Sequence, residues 1–232
     1  MLRNRRDVGW PSVTGIAKLV LEAGAAGITI HPRPDERHIR KSDVYELAEL
    51  LKKYPEVEFN IEGYPSEDFL MLVAEVKPHQ VTFVPDDPKQ STSDHGWDIE
   101  KNEELLKASI ARMKQLNIRV SLFIDEDPNI PSDALEVGAD RVELYTGPYG
   151  ACVPNSSASK LHLPKLKETA KVAKTIGLGI NAGHDLTLKN LPDFIKTVKD
   201  IDEVSIGHGI TADALIMGFA EAVRRYKAAL DS

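Results

Sequence analysis

Short apolar runs alternate with stretches of helical periodicity along the chain, from residue 11 almost to the end. Seven runs rich in β-branched residues predict strands, at residues 27–32, 57–62, 80–85, 119–125, 141–147, 177–183 and 203–209. Most of them are continuously apolar, which is typical of strands buried on both faces of a parallel sheet.

The stretches between these runs predict amphipathic helices. The first is expected over residues 12–23, and Ser42 and Ser66 are expected to cap two others. The apolar positions over residues 215–226 predict one final helix whose apolar stripe is buried.

The order of elements predicts an α/β fold with eight helices and seven parallel strands. A parallel sheet with helices on its outside closes at eight strands in about 250 residues. The chain is therefore predicted to be a (β/α)8 TIM barrel whose first strand is missing, in one domain over residues 1–232. A doubly wound open sheet competes with this prediction, but neither a G-x-G-x-x-G motif after an early strand nor a composition break favours it.

Composition narrows the class of partners. The 29 basic and 36 acidic residues give a formal charge of −7, and the only basic tract is short, at residues 3–6, which disfavours nucleic acid or anionic lipid as a partner. Cys152 is the only cysteine, so neither a disulfide nor a cysteine zinc site is expected, and a cytoplasmic location is predicted. No run approaches the ~18 apolar residues of a membrane span, and the N-terminus does not resemble a signal peptide.

Ionisable side chains cluster at the predicted carboxyl ends of the strands, where barrels of this type place their active sites. They are His31, Glu62, Glu143, His184 and His208. One histidine after a strand is most often structural, but three at strand ends favour a shared site for proton transfer.

Two glycine-bearing segments, NAGHD at 181–185 and IGHGIT at 206–211, predict a phosphate site after the last two strands. Thr211 is expected to begin the following helix. The carboxylate of Asp185 would repel phosphate, so its side chain is expected to cap a helix while its amide faces the ligand.

A second anion site is expected in HPRPDERH, where Arg33 and His38 are the donors, and an arginine of the 3–6 tract can add a clamp. Residues 85–98 and 147–159 are long and polar enough to be lids.

Missing motifs narrow the chemistry further. No lysine ends a predicted strand, so a Schiff base with the enzyme is not expected. No metal or other cofactor is predicted because H-x-H and H-E-x-x-H are absent, although His31, Glu143, His184 and His208 can still converge on a metal. The residues favour acid–base chemistry on a phosphorylated small molecule.

Several phrases together resemble the pyridoxine 5′-phosphate synthase family of vitamin B6 biosynthesis. They are LRNRR (2–6), AGAAGITIHPRPDERHI (23–39), FNIE (59–62), VKPHQVTFVPD (76–86), VSLFID (120–125), ELYTGPY (143–149), NAGHDLT (181–187) and SIGHGI (205–210). The resemblance implies an octameric (β/α)8 barrel that condenses 3-amino-2-oxopropyl phosphate with 1-deoxy-D-xylulose 5-phosphate, releasing phosphate and water.

The resemblance also implies roles for individual residues. His31 and Glu62 match the two proton acceptors, His184 the proton donor, and Glu143 a carboxylate that stabilises a transition state. The family positions that bind the deoxyxylulose phosphate are matched by Arg33, His38 and Thr92. Those that bind the amino-ketone phosphate are matched by Arg6, Asp185, Gly207 and His208. His31 is expected to have a pKa of about 6.5, and burial is expected to raise that of Glu62 toward neutrality.

The start of the chain departs from the family pattern. Family members begin with a strand that carries an Asn and an Asp-His pair before the segment matched by residues 2–4, and this sequence lacks it. We therefore expect a longer natural polypeptide and a weakly active or inactive short form. Two other functions stay open at this point: a metal-dependent sugar-phosphate epimerase or isomerase, and a non-catalytic barrel that binds a phosphorylated metabolite.

Overall fold

The computed structural model describes residues 3–5, 8–86 and 92–231, and its strands form one parallel sheet in the order β1 to β7. The strands are β1 (Gly27–Ile30), β2 (Glu58–Gly63), β3 (Gln80–Phe83), β4 (Arg119–Ile124), β5 (Arg141–Tyr145), β6 (Gly179–Gly183) and β7 (Glu203–Ser205). Each predicted strand is confirmed, and most are shorter at one or both ends than the apolar runs suggested.

Helices cover the outside of this sheet. They are α1 (Val13–Glu22), α2 (Lys41–Leu51), α3 (Glu67–Val76), α4 (Glu103–Gln115), α5 (Ile130–Glu136), α6 (Gly147–Gly150), α7 (Ser159–Thr175), α8 (Leu191–Thr197), α9 (His208–Met217) and α10 (Phe219–Leu230). Two short 3-10 helices lie at Arg3–Arg5 and Glu100–Asn102. In the described part of the chain, no helix is long and apolar enough to cross a membrane.

Only one of the two predicted serine caps forms. Ser66 caps α3, since its Oγ accepts a hydrogen bond from the Phe69 N–H at 3.3 Å. The Ser42 cap is wrong: α2 begins at Lys41, and the Asp43 carboxylate accepts a hydrogen bond from the Arg40 N–H at 2.7 Å. A carboxylate in the first turn is a stronger acceptor and also suits the positive end of the helix.

The prediction of a single final helix is also wrong. The chain forms α9 and α10 instead, and they meet at Gly218, whose φ is +80°. The break turns the apolar stripe of α9 outward, so that Leu215 and Ile216 are 74% and 87% exposed. Val223 and Tyr226 on α10 are buried as the pattern predicted.

The apolar core lies between the sheet and the helices. Ile61, Val81, Leu122, Leu144 and Ile180 of the strands are completely buried in it. Full burial of side chains of this kind contributes about 1.5–3 kcal/mol each. This outer core therefore supplies most of the apolar burial, and the barrel axis can carry other chemistry.

The interior of the barrel is polar, whereas barrels of this type are commonly filled by branched apolar side chains. Thr82 Oγ1 donates to Asn60 Oδ1 at 3.2 Å, and Asn60 Nδ2 donates to Thr29 Oγ1 at 3.4 Å. Ser121 on β4 and Asn181 on β6 are also completely buried. Polar side chains therefore line the barrel axis below its carboxyl end.

The barrel is nearly closed. Within the described residues, β1 pairs only with β2 and β7 pairs only with β6. Across the remaining opening, Thr29 Oγ1 lies 3.2 Å from Ser205 Oγ. Over the residues that the structure describes, this architecture is an α/β TIM barrel with seven of the usual eight strands, as the sequence predicted.

Candidate active site

A cavity of about 1150 Å³ reaches from the carboxyl ends of the strands into the opening between β1 and β7. Eight of the predicted site residues line it: His31, Glu62, Thr92, Glu143, His184, Asp185, Gly207 and His208. Two others are not in its lining, since Arg33 is buried beside it and His38 is exposed on the loop after β1. Arg6 lies outside the described residues.

His31 and Glu62 are neighbours because their strands are paired in register, with Ile30 opposite Ile61. The Nδ1 atom of His31 lies 3.9 Å from Oε2 of Glu62, and its Nε2 atom lies 3.8 Å from Oδ2 of Asp86. Both imidazole nitrogens therefore face carboxylates at the rim of the cavity.

Burial moves the pKa values of this pair in opposite directions. Burial, with the charges of Glu203 and Asp86, raises the pKa of Glu62 to about 8. Burial, with the positive charge of Arg33, lowers the pKa of His31 to about 3. The rise expected for Glu62 is confirmed, and the value of 6.5 expected for His31 is wrong for the protein without substrate. At neutral pH His31 is neutral and Glu62 is mostly protonated.

Glu143 lies deeper in the barrel, on β5, and is buried. Burial first, then the charges of Glu62 and Glu203, raise the pKa of its carboxyl well above the usual range. Its Oε2 atom has no hydrogen-bond partner among the described residues, and an added Cβ at Gly183 would lie 2.4 Å from its Oε1. A buried carboxyl oxygen without a partner, in the wall of a cavity, is suited to contact a ligand.

His184 follows β6 in a strained backbone conformation, with φ at +89°. Thr146 Oγ1 holds this turn by donating to the His184 carbonyl oxygen at 2.6 Å. The ring packs edge-on against Tyr145, with 5.2 Å between centroids, and its Nε2 atom lies 2.9 Å from Thr92 Oγ1. A non-glycine residue held at positive φ is often found at a functional site.

Asp185 does not cap a helix, so that prediction is wrong. Its Oδ2 atom lies 3.0 Å from Nδ1 of His184, and its own φ is +56°. The strained turn directs the carboxylate toward the adjacent imidazole, where it fixes the ring orientation.

Gly207 and His208 lie at the N-terminus of α9, which begins three residues earlier than predicted. The expectation that Thr211 starts the helix is wrong, since its N–H already donates to the Gly207 carbonyl oxygen at 3.1 Å. An added Cβ at Gly207 would meet open space. The amino end of a ten-residue helix therefore borders the cavity, where its free N–H groups favour an anion.

Two further residues, Asp86 and Ser93, lie at the site although the sequence pattern did not predict a role for them. Asp86 is buried where it forms an ion pair with Arg33, and it accepts a hydrogen bond from Ser93 Oγ at 2.9 Å. Asp86 follows β3 at its carboxyl end, so the rule that found His31 and Glu62 would have found it too. Its assignment to the lid at residues 85–98 concealed this.

The part of the chain that the structure describes holds no group of three or more His, Cys, Asp or Glu side chains placed to bind a metal ion. Two of the histidines that line the cavity, His31 and His184, instead face carboxyl and hydroxyl groups.

Comparisons with known proteins agree on one family. The family model described as "Pyridoxal phosphate biosynthesis protein PdxJ" matches residues 1–232. A pyridoxine 5′-phosphate synthase from Chelativorans sp. (strain BNC1) is 56% identical over 100% of this chain and 95% of its own length. The pyridoxine 5′-phosphate synthase of Brucella anthropi is 55% identical over 99% of this chain and 94% of its own length.

Solved structures with low sequence identity share the fold. A protein from Aquifex aeolicus VF5 has a TM-score of 0.64 and 17% identity over 94% of this chain and 86% of its own. A 4-hydroxy-2-oxoglutarate aldolase/2-deydro-3-deoxyphosphogluconate aldolase from TTHB1 has a TM-score of 0.63 and 13% identity over 96% of this chain and 90% of its own. Because the family model spans the whole chain and the curated relatives are more than half identical over almost their full length, this chain belongs to the pyridoxal phosphate biosynthesis protein PdxJ family.

Proposed function

We propose that the protein is a pyridoxine 5′-phosphate synthase that condenses 3-amino-2-oxopropyl phosphate with 1-deoxy-D-xylulose 5-phosphate. The observation that carries this proposal is the convergence of His31, Glu62 and His184 on one cavity. The names of the relatives, and their coverage of the whole chain, favour this reaction over an epimerase or a non-catalytic binding protein.

The first chemical step needs no lysine from the protein. The amine of one substrate adds to the ketone of the other, and loss of water leaves an imine between the two substrates. Protons next to the imine and carbonyl carbons then leave in turn, with His31 as the first acceptor and the ionised form of Glu62 as the second. Closure and aromatisation of the ring release phosphate and water.

The resting state, in which His31 is neutral, fits a site that awaits anionic substrates. Two phosphate groups bring negative charge near Arg33, whose positive charge adds to the effect of burial in lowering the pKa of His31. Neutralising that charge raises the pKa of His31 and makes its imidazole a better base. In this proposal, substrate binding prepares the acceptor for its own reaction.

On the opposite side of the cavity, His184 is proposed to donate protons to departing oxygens. Asp185 and Tyr145 fix its ring from two directions.

The two phosphate groups are proposed to bind at different loops. The amino-ketone phosphate binds Gly207 and His208 at the start of α9, together with Arg6 and the backbone amide of Asp185. The other phosphate binds Arg33, His38 and Thr92. Glu143 is proposed to contact developing positive charge from below. Holding both reactants in one cavity supplies effective molarity.

We also propose a cytoplasmic homo-oligomer, with an octamer as the specific assembly. The nearly full exposure of Leu215 and Ile216 on α9 supports an association surface, since such apolar side chains next to each other favour contact with another protein. Light scattering of the purified protein measures the assembly directly. A monomer at micromolar concentration would contradict this part of the proposal.

The experiment that tests the reaction mixes the purified protein with both substrates and follows pyridoxine 5′-phosphate fluorescence and inorganic phosphate together. We expect both products to appear at equal rates, and only when both substrates are present. Binding of both substrates without product would support the non-catalytic alternative. Product that appears only after zinc or manganese is added would support the metal-dependent alternative.

A further inference from the structure

Asp86 lies between two of the proposed functional residues and the segment that follows β3. Its carboxylate is 7% exposed, and it pairs with Arg33, which is 6% exposed. The same oxygen, Oδ2, contacts Arg33 Nη2, accepts a hydrogen bond from Ser93 Oγ at 2.9 Å, and lies 3.8 Å from His31 Nε2. One carboxylate oxygen therefore lies close to three side chains at the rim of the cavity.

We propose that Asp86 is a positioning residue that fixes Arg33 and His31 for substrate binding and holds Ser93, and with it Thr92, at the site. The proposal rests on the function proposed above, because it assigns Asp86 an effect on the substrate that Arg33 binds. Asp86 itself does not line the cavity. It is therefore expected to act through its neighbours and not by contact with substrate.

The need for a carboxylate at this position follows from the burial of Arg33. A buried guanidinium that loses its counter-ion leaves an uncompensated charge, which is strongly destabilising. The pairing also fixes the plane of the guanidinium, and the planar fork gives Arg33 its geometry for a phosphate. Without Asp86, the guanidinium of Arg33 loses the contact that fixes its plane.

Asp86 also connects the two sides of the cavity through consecutive residues of one segment. Ser93 is bound to Asp86 on the β3 side, and Thr92, next in the chain, contacts His184 on the β6 side. The hydrogen bond from Ser93 therefore determines where Thr92 is placed. Loss of the carboxylate is expected to release Thr92 as well as Arg33.

Removal of the Asp86 charge is expected to lower the pKa of Glu62. The charged or titratable groups that face Glu62 are His31 and Arg33 after β1, Asp86 after β3, Glu143 on β5 and Glu203 on β7. The negative charge of Asp86 raises the pKa of Glu62, and Arg33 lowers it. In Asp86→Asn, the negative charge that raises this pKa is lost, and the positive charge of Arg33 is no longer offset by Asp86. Both changes lower the pKa of Glu62.

The test compares Asp86→Asn with Asp94→Asn, which removes an exposed carboxylate from the same segment. We expect Asp86→Asn to raise KM for 1-deoxy-D-xylulose 5-phosphate about tenfold, as loss of a charge-assisted contact does. KM for the other substrate should change less, and the acid limb of the kcat profile should move to lower pH. Asp94→Asn should retain the wild-type KM and pH profile.

A double variant separates positioning from a merely structural role. If Asp86 acts mainly through Arg33, the substitution Asp86→Asn in an Arg33→Gln background should raise KM only by the smaller factor expected for loss of the Ser93 hydrogen bond. The double variant leaves neither charge buried alone, so it should fold even if Asp86→Asn does not. Ser93→Ala removes only the tether and should raise the same KM by a smaller factor.

The outcomes distinguish this proposal from the function on which it rests. If the wild-type protein forms no pyridoxine 5′-phosphate, the proposed function fails. If the wild type is active and the Asp86→Asn variant shows the same KM and pH profile as the wild type, the proposed role of Asp86 is overturned while the proposed function stands. Equal effects of Asp86→Asn with and without Arg33→Gln would also overturn it.

Discussion

The Oγ1 atom of Thr92 lies 2.9 Å from Nε2 of His184, so the segment after β3 contacts the proposed proton donor directly. The same threonine is proposed to bind the phosphate of the deoxyxylulose substrate. A hydroxyl group has one proton to donate, so Thr92 cannot donate to the phosphate and to Nε2 of His184 at once. A phosphate that accepts this proton leaves Nε2 of His184 free to carry a proton of its own.

Replacing Thr92 tests this exchange. Thr92→Val keeps the shape of the side chain and removes its hydroxyl, so we expect KM for 1-deoxy-D-xylulose 5-phosphate to rise about fivefold, since one hydrogen bond is lost. Steady-state kinetics with each substrate varied in turn measures this. Thr175→Val on α7, whose hydroxyl donates to the Lys171 carbonyl oxygen, is the matched control. An unchanged KM in Thr92→Val would contradict the phosphate contact.

The role of His184 can be separated from that of a structural histidine. His184→Ala is expected to lower kcat about a hundredfold or more, as removal of a general acid does, while Tm stays close to the wild-type value. His79→Ala should instead lower Tm and leave kcat close to the wild-type value. The Nδ1 atom of His79 accepts a hydrogen bond from the Phe59 N–H at 3.0 Å, at the opposite end of the barrel. Loss of that bond should cost about 1 kcal/mol of unfolding free energy. Equal losses of Tm and kcat in His184→Ala would mark it as structural.

The carboxyl ends of the strands could be predicted because buried parallel strands carry continuous apolar runs, which fix where each strand stops. That rule alone placed His31, Glu62 and His184 at one rim. It could not predict the pKa of His31, which depends on burial and on Arg33, a neighbour in space. The helical periodicity over residues 215–226 could not reveal the break at Gly218 either, because the spacing of apolar residues is unchanged by one residue at positive φ.

The close approach of β6 to Glu143 predicts a strict requirement for glycine at position 183. An added Cβ would lie 2.4 Å from Glu143 Oε1 and 3.2 Å from the Ser205 carbonyl oxygen. Gly183→Ala should therefore displace the carboxyl group or open the sheet, with kcat about tenfold lower and Tm several degrees lower. Gly9→Ala, where the added Cβ meets nothing within 4 Å, should leave both unchanged. Wild-type kinetics in Gly183→Ala would show that the position of Glu143 is unimportant.

The raised pKa of Glu62 predicts how stability depends on pH. Burial raises this pKa from 4.5 to about 8, so the folded protein binds the proton more tightly than the unfolded chain does. Protonation therefore stabilises the fold below the unfolded pKa, and that stabilisation is lost as pH rises toward about 8. Tm should fall as pH is raised through this window.

Glu62→Gln tests this dependence because glutamine keeps the size of the protonated side chain and cannot ionise. We expect a smaller fall in Tm with rising pH than in the wild type, and a higher Tm at the alkaline end. Some dependence should remain, since the pKa of Glu203 is also raised, to about 7, by burial and by Glu58. Glu104→Gln, at an exposed position on α4, controls for the loss of one negative charge. Parallel Tm curves for Glu62→Gln and the wild type would show that the Glu62 carboxyl does not lose its proton in this window.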